Sequence, residues 1–366
     1  MEFSARQYLF KEKFMYIIAE IGGSHQGDLS HAKELIHAVK ETGAHCAKFQ
    51  AIFAHEIVHP KVGIVPLPTG NISIYDTFKK LERSQEFYQE LKNETQKAGL
   101  DFLCTPFGLE SFALLENLNV QAYKVASPEL NHLPLLQAIS ATNKNVFLSL
   151  GVSKISDIEM ALEQISDAQS RVTLLNCVTS YPAPEEDYNL NLLPHLAAIF
   201  DVKVGISDHS MDPILVPSLS VLRGGSAIEK HICLSRKGDG LDDPIALEPS
   251  QFAAMVRSVR IAQEDPQYLH ELEKQYGKDK VQAVLGDGRK RLAGSEMANY
   301  GRTNRSICAL RDIQSGESLT KDNTALLRVE KVLRPGLSPQ FWPVILQRNA
   351  AQNIPAGEGI RWQDIK

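Results

Sequence analysis

A (β/α)8 barrel followed by a small loop-rich domain is the architecture this sequence predicts, and three observations carry it. Eight short apolar runs recur between Tyr16 and Val259, a helix-length segment separates each from the next, and the chain beyond Gly301 replaces that alternation with a repeated short motif. The runs are Tyr16–Ile21, His45–Gln50, Asp101–Cys104, Ala122–Ala126, Asn145–Leu150, Val172–Val178, Val202–Ile206 and Ser226–Ile232. Runs that are apolar on both faces belong to parallel sheets covered by helices, and eight such units fit a closed barrel better than an open doubly wound sheet. Between the first two runs, Asp28 is placed to cap a helix whose Ala32, Leu35, Ile36 and Val39 recur at helical spacing, with Gly43 as its stop.

The barrel is expected over 14–262 and a charged helical exit and linker over 263–300. The terminal domain follows at 301–366 and contains an echo: Asp312–Leu319 and Asn353–Ile360 share Ile-x-x-Gly-Glu-x-(Leu/Ile), each followed shortly by an Asp. Two copies are too few for a solenoid, so a compact unit with pseudo-twofold symmetry is expected. A unit this small buries little core and should lean on the barrel or on a neighbouring subunit.

Composition narrows the function. The 366 residues carry 39 Lys+Arg against 44 Asp+Glu, a net charge of -5, with 43% hydrophobic and 23% charged residues. That balance excludes disordered and collagen-like classes and gives no basic field for a nucleic acid. No apolar run approaches the ~20 residues that span a bilayer, and the start, MEFSARQYLFKEKF, has no leader-like apolar core, so no membrane partner and a cytoplasmic location are expected. Cys46, Cys104, Cys177, Cys233 and Cys308 are odd in number and set in apolar runs, which suits buried free thiols.

Barrel active sites form at the C-terminal ends of the strands. Polar residues crowd there: Glu20, Lys48, Gln50, Thr105, Lys124, Ser127, Ser149, Thr179, Tyr181, Ser207, Asp208, His209, Glu229 and His231. Residues two apart on a strand share a face, so Glu229 and His231 point one way and Lys230 the other. Two lysines among apolar neighbours, joined by hydroxyls at equivalent strand ends, point to an anionic substrate, a phosphate or a carboxylate. His209 and His231 on neighbouring strands, with Glu229 and Asp208 nearby, suit a divalent cation of the magnesium or manganese type. A single lysine or histidine at such a position is more often structural; the argument is the set. Gly286–Lys290 lacks the spacing of a phosphate-binding loop, and His25 suits loop capping as well as catalysis.

The runs IIAEIGGSHQGDLSHAKELIHAVKETGAHCAKFQ, FLCTPFG, AYKVASPELN, LSLGVS, SYPAPEEDYNL, VGISDHS, AIEKHICLSR and LDDPIALEP, in this order, resemble the sialic acid synthase family. RTNRSICALRDIQSGESLTKDN is similar to that family's C-terminal antifreeze-like domain, a small β-clip module. The resemblance implies condensation of phosphoenolpyruvate with an N-acylated hexosamine, in a metal-dependent reaction served by Mn2+ or Mg2+. By position it assigns Lys48, Thr105, Lys124, Ser127, Ser149 and Ser207 to the phosphoenolpyruvate pocket, with Gln50 and Thr179 beside them, and His209 and His231 to the metal. It places Glu20, Tyr181, Glu229 and Asp242 at the sugar and the reacting centre. It also implies a domain-swapped homodimer in which Arg305 reaches the partner's barrel. Ser24, Leu150 and Thr179 stand where the family has Asn, Thr and Asn, which leaves the acceptor open between N-acetylmannosamine and the sugars of legionaminic- or pseudaminic-type synthases. An aldolase-type barrel and a non-catalytic carbohydrate-binding protein are the rival readings.

Overall fold

The computed structural model describes residues 15–67 and 70–366; the amino-terminal segment weighed above as a leader lies outside the described residues. The twelve described strands are β1 (Tyr16–Gly22), β2 (Cys46–Ala51), β3 (Ile64–Leu67), β4 (Gly70–Ser73), β5 (Asp101–Pro106), β6 (Ala122–Val125), β7 (Asn145–Ser149), β8 (Val172–Cys177), β9 (Lys203–Asp208), β10 (Ala227–His231), β11 (Ser306–Ala309) and β12 (Thr324–Leu327). Eight of them pair in parallel in the order β5-β2-β1-β10-β9-β8-β7-β6, and the two ends, β5 and β6, pack side by side to close the cylinder. These eight are the eight apolar runs of the sequence. Each is buried on both faces, as a strand between a filled lumen and a helical jacket must be.

The first crossover shows why the chain folds this way locally. Asp28 accepts the His31 amide at 2.8 Å and starts the helix Leu29–Thr42, and Gly43 ends it at φ +82°, in the left-handed region that favours glycine. The buried stripe is Ala32, Leu35, Ile36 and Val39, the predicted set. The hairpin β3–β4, inserted after β2, carried no comparable period in the sequence.

The helical exit extends further than its composition suggested. Pro249–Glu264 and Tyr268–Tyr276 are followed by a helix at Lys278–Leu285, which buries Val281, Val284 and Leu285; three apolar residues on one stripe suffice when the opposite face is solvated.

The terminal domain is pseudo-symmetric. Ile313 and Ile354 exchange both backbone hydrogen bonds at 2.9 Å, so the two copies of the motif pair with each other. Their glycines match, Gly316 at φ +87° and Gly357 at φ +88°. Asp312 caps the Ala356 amide at 2.8 Å while Asn353 caps that of Ser315 at 2.8 Å. The domain leans on its own barrel through a shared apolar cluster in which Ile57, Val58, Val62 and Phe107 of the barrel meet Cys308, Leu327, Val329 and Leu333. All five cysteines are buried free thiols.

Candidate active site

The lumen is stacked in layers set by the two-residue period of the strands. At the floor lie Tyr16, Ile18, Cys46, Leu103, Ala122, Phe147, Leu175 and Ala227, one apolar cluster that seals the lower end. Two residues further along the same strands come Glu20, Lys48, Thr105, Lys124, Ser149, Cys177 and Glu229, joined by Ser207 of β9, all buried. Above them lie Gln50, Thr179, His209 and His231. The sequence therefore places polar side chains in a cylinder at a level where each must find a partner.

The middle layer is an ion network. Lys48 Nζ lies 2.7 Å from Glu20 Oε2 and 3.6 Å from Glu229 Oε2, and donates to Thr105 Oγ1 at 3.1 Å. Lys124 Nζ lies 3.6 Å from Glu229 Oε1 and donates to the Val125 carbonyl at 3.1 Å. Ser207 Oγ donates to Glu229 Oε1 at 2.9 Å, and Gln50 Nε2 to Glu20 Oε1 at 2.6 Å. Burial penalises both carboxylates, with different outcomes. At Glu229 the lysines and Ser207 outweigh it and hold the group below the usual carboxylate range. At Glu20 burial, reinforced by Glu229, outweighs Lys48 and raises the group. Burial lowers Lys124, only partly offset by Glu229.

At the ends of β6, β7 and β8 stand three further hydroxyls. Ser127 Oγ accepts the Gly151 amide at 2.9 Å, while Ser149 Oγ and Thr179 Oγ1 are buried without hydrogen-bond partners among the described residues. Buried hydroxyls without protein partners are donors that an oxyanion can use. A Cβ at Gly151 would lie 2.0 Å from Thr179 Oγ1 and 2.9 Å from Ser127 Oγ, so glycine is what leaves this cluster room.

The upper layer holds the two imidazoles, with ring centroids 5.5 Å apart. His209 Nδ1 contacts the Val178 carbonyl at 2.8 Å, which directs Nε2 elsewhere, the usual outer-shell arrangement of a ligating histidine. Burial works against charge at His209, but Cys177 Sγ at 3.9 Å and the Val178 carbonyl outweigh it and raise the group to about 9. Burial, with His209 opposite, lowers His231 well below its ordinary value, leaving a neutral ring with a free lone pair. Asp242 Oδ2 is 3.9 Å from His231 Nδ1, and Tyr181 stacks on His209 at 4.2 Å while remaining 37% exposed at the mouth. Among the described residues no group of three or more His, Cys, Asp or Glu surrounds one metal position. The donor set fits a divalent ion held by two imidazoles, with its other positions left to water or substrate oxygen.

One expectation is corrected and three more residues are placed. Asp208 is no neighbour of the metal pair: it points outward, 2.6 Å from Lys230 Nζ, because it alternates with the lumen residues Ser207 and His209. Glu229, expected at the sugar and the reacting centre, is held by Lys48, Lys124 and Ser207. His25, open between loop capping and catalysis, caps its loop: its Nδ1 accepts the Gly27 amide at 2.8 Å. Arg305 meets the barrel of this same chain. Its Nη2 lies 2.9 Å from Glu129 Oε1 and donates to the Phe107 carbonyl at 2.6 Å, while Nη1 takes the Glu56 carbonyl, so a guanidinium with every donor engaged is buried against the barrel that precedes it.

Two residues escaped sequence reasoning. Lys290 Nζ donates to the Leu150 carbonyl at 2.8 Å, and Glu296 is buried between the ends of β7 and β8. Both sit in the charged segment after the last helix, where composition reads as solvated linker.

The NeuB family model matches residues 35–268 and the SAF domain model residues 304–366. The spore coat polysaccharide biosynthesis protein SpsE of Bacillus subtilis is 32% identical over 365 residues, 99% of this chain and 96% of that protein. Its crystal structure superposes with a TM-score of 0.81 over 97% of this chain and 96% of that one. The N,N'-diacetyllegionaminic acid synthase of Legionella pneumophila is 30% identical over 96% of this chain and 94% of its own. The sialic acid synthetase of Leptospira borgpetersenii, crystallised with citrate, has a TM-score of 0.64 at 29% identity over 73% of this chain and 93% of that one. The motifs and the barrel geometry thus lead to one place: this chain belongs to the NeuB family and ends in a SAF domain.

Proposed function

We propose that this chain condenses phosphoenolpyruvate with an open-chain N-acylated hexosamine and water, giving a nonulosonic acid and inorganic phosphate. The observation that carries the reading is the opposition, inside one lumen, of a lysine-and-hydroxyl anion pocket and an imidazole pair one layer above it. An aldolase that forms an imine needs one activated lysine; it has no use for two lysines tied to two carboxylates and a hydroxyl cluster.

Lys48, Lys124, Thr105 and Ser207 take the carboxylate of phosphoenolpyruvate, and Ser127, Ser149 and Thr179 its phosphate. Glu229 keeps the two ammonium groups in place. His209 and His231 hold the divalent ion, Mn2+ or Mg2+, whose Lewis acidity polarises a carbonyl oxygen when it is bound. Tyr181 and Asp242 flank that position and contact the sugar. The enol carbon attacks the sugar aldehyde and forms the new C–C bond, which leaves an oxocarbenium-like centre at C2. Water adds there, one of its protons passing to the alkoxide left from the aldehyde, and the tetrahedral centre then expels phosphate by C–O cleavage as its remaining hydroxyl becomes the ketone and that proton leaves with the phosphate. Glu20, whose carboxyl is raised and oriented by Gln50 and Lys48, is placed to orient that water. The acceptor includes sugars other than N-acetylmannosamine. The legionaminic acid synthase among the relatives supports this, as does Ser24, whose short hydroxyl is tied to Asp243. Both substrates suit a cytoplasmic enzyme, and a homodimer that exchanged terminal domains would make the Glu129–Arg305 contact between two chains.

The test is incubation with phosphoenolpyruvate, manganese and a panel of N-acylated hexosamines, reading phosphate release and nonulosonic acid together. Product with at least one sugar is expected. Phosphate release without product, or borohydride trapping of a lysine imine, would overturn the reading.

A further inference from the structure

We propose that Glu296, on the segment joining the barrel to the terminal domain, is a positioning residue for the anion pocket: its carboxylate clasps the loops after β7 and β8 and so fixes the spacing of the Ser127 and Thr179 hydroxyls. The inference rests on the reading of that pocket as the seat of the substrate phosphate.

Glu296 is 1% exposed, although it lies in a stretch that is otherwise polar and solvated. Its Oε1 accepts the Val152 amide at 2.8 Å and the Thr179 amide at 2.6 Å, and its Oε2 accepts the Ala293 amide at 3.3 Å. One carboxylate oxygen thus bridges two different barrel loops. The same segment also takes the carbonyls of those two residues. Asn299 Nδ2 donates to Thr179 O at 3.2 Å and Asn304 Nδ2 to Val152 O at 3.1 Å. Both polar groups of each loop residue are therefore held by side chains from residues 296, 299 and 304.

The clasp has something to hold. Val152 sits at φ +44°, in the left-handed region, where a β-branched side chain is strained and the backbone stays only if its surroundings dictate it. Gly151 precedes it, with its amide on Ser127 Oγ, and Thr179 is at once the residue gripped through its amide and the bearer of an orphan hydroxyl. A Cβ at Gly151 would come within 3.1 Å of Glu296 Oε1 as well as close to the two hydroxyls, so the carboxylate lies directly behind the cluster. A negative charge in that place opposes the binding of a phosphate. What it contributes in return is geometry, and the two loops it joins are those that carry the pocket.

Glu296→Ala, Glu296→Gln and Tyr300→Phe separate this role from general support. Tyr300 donates to Asp157 at 3.1 Å, a contact of the same segment that touches neither loop amide. Binding of phosphoenolpyruvate and of inorganic phosphate to the full chain is measured by calorimetry, with steady-state kinetics beside it. Glu296→Ala is expected to raise the Kd and KM for phosphoenolpyruvate roughly 10-fold or more with kcat within a few-fold, the size seen when an outer-shell partner is lost. Glu296→Gln keeps an acceptor oxygen for both amides and sheds the charge, so it should bind at least as tightly as the unaltered chain. Tyr300→Phe should leave both constants unchanged. Equal binding by Glu296→Ala, an equal loss in Glu296→Gln, or a matching loss in Tyr300→Phe would each overturn the proposal. If the unaltered chain binds neither anion, the pocket assignment itself falls, a result distinct from failure of the clasp.

Discussion

Glu129 and Arg305 meet at 2.9 Å across the boundary between barrel and terminal domain, both side chains wholly removed from water. Arg328 adds a second guanidinium at 2.5 Å on the same carboxylate oxygen. Glu129 closes the short turn that begins with Ser127, so the seating of the terminal domain and the anion pocket share one turn of chain. Removing one partner of a buried pair strands the other charge and costs on the order of 3–5 kcal/mol. Glu129→Ala, which leaves two buried guanidinium groups uncompensated, is expected to loosen the terminal domain. Limited proteolysis of the 286–304 segment should accelerate, and the denaturation midpoint should fall. Light scattering on the same samples reports whether chains exchange terminal domains.

Lys124 is the lysine with the fewer protein partners, and so the one most available to an incoming anion. Lys124→Met preserves length and removes the charge. It should lower kcat/KM for phosphoenolpyruvate by about 10²–10³-fold, the size of losing one preorganised donor. Steady-state kinetics with phosphoenolpyruvate varied checks it.

Gly151→Ala tests the hydroxyl cluster with little cost to the fold. The new methyl displaces the Thr179 hydroxyl, a side-chain tip that can turn away, so the melting temperature should move by only a few degrees while affinity for the phosphate-bearing substrate drops. Differential scanning fluorimetry and calorimetric titration separate the two effects.

His209→Asn and His231→Asn should each abolish high-affinity manganese binding, seen as retention of the free-ion signal in electron paramagnetic resonance. Chelation of the unaltered chain should remove activity, and added manganese should restore it.

Acid stability follows from two buried histidines. Burial, with Arg83 nearby, lowers His25 to about 4, and burial, with Arg305 nearby, lowers His132 to about 3. Each accepts a backbone amide through Nδ1, from Gly27 at 2.8 Å and Leu135 at 3.3 Å. In the unfolded chain they titrate near ~6.5. Between that value and the folded pKa the unfolded state binds more protons, so stability is full above pH 6.5 and is lost as the pH falls toward 4 and 3, by roughly 1–2 kcal/mol each by pH 5. His132→Asn keeps an acceptor at the cap and removes the titration. The gap between its denaturation midpoints at pH 7.5 and 5 should be smaller than that of the unaltered chain.

The barrel was legible because parallel strands buried on both faces stand out from amphipathic helices, and the lumen set because a period of two sorts Glu229 and His231 from Lys230. The same period assigns Asp208 to the outer face, away from its neighbour His209. Contacts that join distant parts of the chain stayed hidden. Glu296 meets Val152 across 144 positions, and nothing local distinguishes it from a solvated glutamate. Arg305 was singled out only by the family resemblance, since nothing local marks it as an arginine that would be buried on Glu129 across 176 positions.

The apolar floor formed by Tyr16, Ile18, Phe147 and Leu175 offers no polar group at the lower end of the cylinder, so a charged reactant finds its partners only in the layers above. If the function proposed above holds, the anion at the lysine level lies beneath the sugar at the histidines, and initial-rate kinetics should show it arriving first.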